Sequence, residues 1–273
     1  MSQELDTILV DIIKKLDVKV EEHKKTMDSD KYLQEKKYID SIIDDFIIGM
    51  KIAFIYSIRY PENCNKLLIN RGIEELAESI VSISLTFKEG VLNPPKRELR
   101  YMLEMAIKYL YVDSIIPGSS YEEKIQFLKD DVPRSSIEPI EKISLFGFNE
   151  EKSKYFSDDV NVLYTELCKF VHPSKDQLDE YFYRSKRGAT LGFETAKELV
   201  SMGALLFRVL DILLVLVFQG LGPTTTGDMF IHMLDDIPKW KFHKGKHCKI
   251  VSSLFNYKAE RKKHRLNNTL NTK

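Results

Sequence analysis

Apolar residues recur every three or four positions along almost the whole chain, the period of a helix that turns one face inward. No segment shows the strict alternation of a half-buried strand. Over 3–27, Leu5, Ile8, Leu9, Ile12, Ile13 and Leu16 share one side and are predicted to face inward, while the segment turns mostly charged beyond Val20. Asp28-Ser29-Asp30 reads as a stop followed by a fresh N-cap. A second helix is expected over 31–59, with Ile39, Ile42, Ile43, Phe46, Met50, Ala53, Phe54 and Ser57 inward and Pro61 beyond its end. Asn63 or Asn65 can cap a third, which carries Leu76, Ile80, Ile83 and Phe87 inward and closes at Gly90.

Asn93-Pro94-Pro95 is a helix start, an Asn cap with proline in the first turn. The fourth helix, 94–116, has an apolar stripe of Leu99, Met102, Leu103, Ala106, Ile107 and Leu110. Arg97, Arg100, Glu104, Lys108 and Tyr111 form a polar stripe on its flank, with Arg100–Glu104 and Glu104–Lys108 one turn apart. Short helices are expected over 121–129 and 137–146. Ser157 or Asp158 caps the next, with Val160, Leu163, Tyr164, Leu167 and Val171 inward and Asn161, Thr165, Cys168 and His172 along the boundary; Pro173 stops it.

A long helix over 193–219, apolar all round in its second half, reads as the centre of a bundle, with Arg208 and Asp211 spaced to neutralise one another. Gly220 to Pro223 break the chain, and Thr226 caps a last short helix to 236. The predicted fold is therefore all-α, a bundle of about seven to nine helices. Its expected organisation is N-terminal helices over 1–90 packed on a core over 91–222, followed by a short helix and basic tail over 223–273.

Composition narrows the function. With 273 residues, 43% hydrophobic and 30% charged, the chain can bury a real core and solvate its surface, and its formal net charge of zero names no partner. The distribution of charge says more: from Lys239 to the end Glu260 is the lone carboxylate side chain among many cations, which suits an anionic partner such as nucleic acid or lipid headgroups, or a solubilising end. Cys64, Cys168 and Cys248 form no Cys-x-x-Cys pair, so a disulfide framework and a four-ligand zinc site are not indicated and a cytoplasmic setting is expected. The N-terminus lacks a basic-then-apolar leader pattern. Arg208 and Asp211 leave only 212–218 as an unbroken apolar run in the long helix, too short to span a bilayer, so no membrane partner is expected. There is no phosphate-binding Gly-Lys-Ser/Thr loop, dinucleotide fingerprint or Gly-x-Ser-x-Gly elbow.

Several constellations remain. His172, at a helix end beside a Pro-Ser turn, is either a general acid or base that titrates near neutrality or a packing histidine. Arg97 and Arg100 offer planar donors for phosphate and Glu104 an orienting carboxylate, provided that stripe faces His172; otherwise they are surface ion pairs. Cys168 and His172, one turn apart, lack an oxyanion hole or further metal ligands nearby. His243, His247 and Cys248 with Asp235 and Asp236 match no closed zinc spacing, so neither metal nor cofactor is expected. Arg261, Lys262, Lys263 and Arg265, with Phe242, Phe255 and Tyr257 before them, form a generic nucleic-acid patch or a solvated tail.

The segment Arg97-Glu-Leu-Arg-Tyr-Met-Leu-Glu104, followed by Tyr164-Thr-Glu-Leu-Cys-Lys-Phe-Val-His-Pro-Ser174, resembles a group of bacterial helical proteins that pair an LRxxLE helix with a YxxLSxxVHPS helix. That group is similar to HEPN domains, the helical bundles of toxin, phage-defence and RNA-processing systems. The resemblance covers about 94–174, reaching to about 219 if the long helix is included. It implies a HEPN-like core, a homodimer, a partner protein of the same defence system, and RNA as target. It would make His172 the histidine of the family's Arg-x4–6-His ribonuclease motif, which works without metal. Here Thr165, Glu166 and Leu167 stand where the arginine should, and Lys169 is the nearby cation. Arg100 would have to replace the arginine from the other helix. Two expectations follow: a metal-independent endoribonuclease with His172, Arg100 and Glu104 at its site and Arg97, Lys169 and the basic tail on RNA, or a non-catalytic adaptor that docks partner helices on the aromatic stretch from Tyr181 to Tyr183.

Overall fold

The computed structural model describes residues 2–59, 65–134, 136–171, 174–186 and 195–255. Nine α-helices and no strand lie among them: α1 (Ser2–Met27), α2 (Asp30–Ser57), α3 (Leu68–Lys88), α4 (Asn93–Ile115), α5 (Tyr121–Asp130), α6 (Glu150–Cys168), α7 (Lys175–Lys186), α8 (Ala196–His232) and α9 (Cys248–Ser253). Short 3-10 turns at Glu138–Lys142, Leu234–Asp236 and Lys241–Lys244 connect them.

The all-α bundle is organised around α8. Every residue from Val209 to Gln219 is buried, so this helix is enclosed on all sides rather than on one stripe. It packs most extensively on α2 and then on α4 and α3, with α6 lying across α4. By length and composition α8 is apolar enough to cross a membrane, but most of that apolar stretch is buried inside the bundle. The approach of α2 to α8 is close enough that a Cβ on Gly49 would come within 2.7 Å of Leu214. The inward faces read from periodicity in α2, α3 and α4 are buried, with Phe54 the exception at 40% exposure. Burying each such Leu, Ile or Phe contributes about 1.5–3 kcal/mol, which is why these helices hold together despite weak local caps.

Several expectations need correction. The predicted inward face of α1 is not covered: Ile8, Leu9, Ile12, Ile13 and Leu16 are exposed, and α1 touches α2 mainly near their shared corner. Amphipathic spacing specifies an apolar face, not what covers it. Over 137–146 only a 3-10 turn forms; Pro139 removes a backbone donor within it. Helix α6 starts seven residues before Ser157, capped by Asn149 accepting from the Lys152 amide. Lys175–Lys186 form α7. Helix α8 is broken at Gly222, whose φ of 80° is the left-handed conformation that glycine tolerates. Thr226 does not cap a new helix; its hydroxyl donates to the Phe218 carbonyl across that break, at 2.7 Å. The stretch 234–255 is not a loose tail either: Trp240, Phe242, Cys248 and Val251 are buried in the main core.

Two helix starts are capped from a distance. No side chain at Leu67 caps α3. Instead Asp113 of α4 accepts from the Leu68 and Ile69 amides at 3.0 and 2.9 Å, and its charge is met by the fully buried Lys124 at 2.8 Å. Likewise Asp211 does not pair with Arg208. It accepts from the His247 and Cys248 amides at the start of α9, at 2.8 and 3.1 Å. Burial raises its pKa, and those two amides work against the rise.

Candidate functional site

The polar stripe of α4 meets the last turns of α6. Leu99, Leu103 and Ile107 anchor one side of α4 in the core, while Val160, Leu163 and Leu167 anchor α6. With both apolar faces fixed, Arg97, Arg100, Glu104 and Lys108 must line the seam. Arg97 Nε donates to the Phe170 carbonyl at 2.6 Å. Arg100 Nε donates to Cys168 Sγ at 3.3 Å and Nη2 to Tyr164 Oη at 2.8 Å. Tyr164 Oη donates to Glu104 at 3.1 Å, and the same carboxylate pairs with Arg100 at 3.2 Å and with Lys108. The Arg100 guanidinium also stacks over the Tyr164 ring, 5.0 Å from its centroid.

The electrostatics follow from this packing. Burial opposes the Arg100 charge, but the facing Cys168, Tyr164 and Glu104 outweigh it and hold the pKa above its ordinary value. Burial, reinforced by Glu104, pushes the Tyr164 hydroxyl up to about 12, so it stays a donor at neutral pH. Alongside this cluster lies an open cleft of about 460 Å³ lined by Arg100, Glu104, Lys108, Lys129 and Arg134, with apolar walls from Met105 and Leu128. Four cations against one carboxylate make it suited to an anion.

The structure thus brings together Arg97, Arg100 and Glu104, and aims the two arginines at residues 164–170 of the motif helix and its end. Lys169 lies on the surface, half exposed and 3.4 Å from Asp176. His172 and the tail cations Arg261, Lys262, Lys263 and Arg265 lie outside the described residues. Of the aromatics expected to serve nucleic acid, Phe242 is fully buried and stacked on Phe207, and Phe255 stacks on Phe230. Neither ring face is presented to a base; Tyr257 lies outside the described residues.

Lys129 and Arg134 were not singled out by the sequence. They reach the cleft from the end of α5 and the turn after it, and no local spacing announces that. His247 and Cys248 do not form a metal site: His247 Nε2 meets Asp159 at 2.9 Å, and the Cys248 thiol donates to the Asp211 carbonyl. His243 Nε2 lies 3.0 Å from the Ile237 carbonyl, and among the described residues no group of His, Cys, Asp and Glu could hold a metal ion. No protein-family model, curated protein or solved structure matches the chain.

Proposed function

We propose that this protein is a HEPN-like, RNA-targeting bundle of a bacterial defence or toxin system, acting in the cytoplasm as a metal-independent endoribonuclease. The observation that carries the reading is the convergence of Arg97 and Arg100 on the end of the motif helix, at Phe170 and at Cys168 with Tyr164, beside a cleft dominated by cations. In this reading the cleft takes the RNA backbone, and Arg100 offsets charge on the pentacoordinate phosphorus. His172 exchanges the proton of the reacting hydroxyls. The 2′-oxygen bonds to phosphorus, the bond to the 5′-oxygen breaks, and the products are a 2′,3′-cyclic phosphate and a 5′-hydroxyl. Glu104 and Tyr164 hold the guanidinium in place.

The test is incubation of the purified chain with mixed RNA in excess chelator. Fragments ending in cyclic phosphate are expected, and His172→Ala should lower the cleavage rate by about 10²–10⁴, the usual worth of a general acid or base. Intact RNA from the unaltered chain overturns the catalytic reading. A second reading, an adaptor without chemistry, is favoured by the exposure of Tyr181, Phe182 and Tyr183 on α7, at 51%, 65% and 62%. It predicts intact RNA, no growth defect on expression, and loss of partner capture when these three rings are replaced.

A further inference from the structure

Two uncovered apolar surfaces on this chain match one another. The first is the stripe of Ile8, Leu9, Ile12, Ile13 and Leu16 on α1, where Ile8 is 56% exposed and Ile12 48%. A contiguous apolar patch of some hundreds of Å² on one helix face marks an interaction site. The second is an apolar groove of about 330 Å³ between α2 and α3, walled by Ile47, Met50, Phe54 and Ile55 on one side and Ile73 and Ala77 on the other. From Ile8 to Leu16 and from Ile47 to Ile55 the rise is the same, about 12 Å of helix.

We infer that the α2–α3 groove is the seat of α1 from a second copy of this chain, in a reciprocal exchange about a two-fold axis. Three observations select this occupant. The corner between α1 and α2 is pinned on both sides: Ser29 Oγ donates to the Thr26 carbonyl at 2.6 Å and accepts from the Tyr32 amide, while the Ser29 amide donates to the same Thr26 carbonyl. That corner carries α1 away from its own groove, so the groove is open to another copy's helix. The charges also fit. Lys15 and Asp17 flank the α1 stripe on opposite sides, and the groove carries Lys51 on its α2 rim and Glu74 on its α3 rim. Entry with Asp17 toward Lys51 sets Lys15 toward Glu74. Finally, from Asp11 to Lys25 four carboxylates stand against five lysines. A helix that lies in a membrane surface carries a Lys/Arg-rich polar face instead. Two seats per pair double the buried area, toward the roughly 1,600 Å² of a standard interface. The inference does not depend on the RNA reading.

The test uses full-length chains and mass measurement by light scattering at about 20 µM. The unaltered chain is expected to be dimeric. Ile12→Asp disables the helix and Ile55→Asp disables the groove; both positions are about half exposed, so the fold tolerates the change, and each variant should be monomeric. Mixing the two variants is decisive, because it restores one intact seat and should return a heterodimer. A monomeric parent, a dimer that survives Ile55→Asp, or no heterodimer on mixing overturns the assignment. The first two results would point respectively to closure of α1 on its own groove and to pairing of α1 with α1.

Discussion

Midway along α6, Asp159 gathers Lys246 at 3.0 Å, Arg208 at 3.0 Å and the buried His247 ring at 2.9 Å. Five residues on, about 140° around the same helix, Tyr164 receives the Arg100 guanidinium beside Glu104. The two clusters have similar ingredients and opposite circumstances. Around Asp159 aromatic rings close in: the His247 ring packs edge-on against Phe156, and Lys246 sits over Tyr155. Around Arg100 the seam opens into a cleft lined by further cations. A charge cluster packed among rings holds elements together, here the 234–255 stretch on α6. A charge cluster beside a cleft has somewhere to put a ligand. The comparison teaches that what adjoins the charges, packed rings or a cleft, separates a clasp from a candidate site more than the identity of the charges does.

The sharpest way to break that contrast is Asp159→Ala. It removes the carboxylate shared by three partners and leaves the buried His247 with neither ring nitrogen paired, since Nδ1 already has no partner. A loss of about 3 kcal/mol in denaturant unfolding is expected, with RNA affinity per folded molecule unchanged. Next comes acidification. Despite burial, hydrogen bonds from His247, Lys246 and Arg208 pull the Asp159 pKa from 3.8 to about 2. A carboxyl that takes up its proton less readily when folded stabilises the fold above its unfolded pKa. That contribution, about 2 kcal/mol, is lost as pH falls from about 4 to about 2. Burial also lowers the His247 pKa below its ordinary 6.5, so its protonation already favours unfolding as pH drops beneath that value. Urea unfolding at pH 7, 5 and 3 should show both losses, and Asp159→Ala should erase the lower one.

Smallest in stability is Arg100→Gln. Its pairs are part-exposed at the edge of a cleft, and a loss of about 1 kcal/mol or less is expected. Its effect should instead appear in RNA affinity, with the salt dependence shallower by about one phosphate contact. An Arg100→Gln chain that unfolds readily but binds RNA normally would turn the second cluster into a copy of the first.

The sequence was most readable where one helix face decides everything. The inward sets of α2, α3 and α4, Phe54 excepted, and the enclosed α8 follow from apolar spacing, whereas nothing in the spacing says that α4 meets α6. It was least readable where a backbone group is satisfied from far along the chain. Asp113 at the start of α3, Asp211 at the start of α9 and Thr226 on Phe218 have no local signature. The candidate site divides the same way. Arg97, Arg100 and Glu104 stand out by their spacing on one helix, whereas Lys129 and Arg134 join them only through folding. For α1 the spacing announced an apolar face correctly and its owner's core as the cover incorrectly, because periodicity carries no information about which molecule supplies the other side.

The Asp113–Lys124 pair sets an order of assembly. The first turn of α3 hangs on a carboxylate 45 residues downstream, itself held by a lysine 11 residues later still. A ribosome releasing this chain would therefore leave the opening amides of α3 to water until Asp113 of α4 had emerged, and that carboxylate without its lysine until α5 followed, so this part of the fold locks only after residue 124 is free to dock.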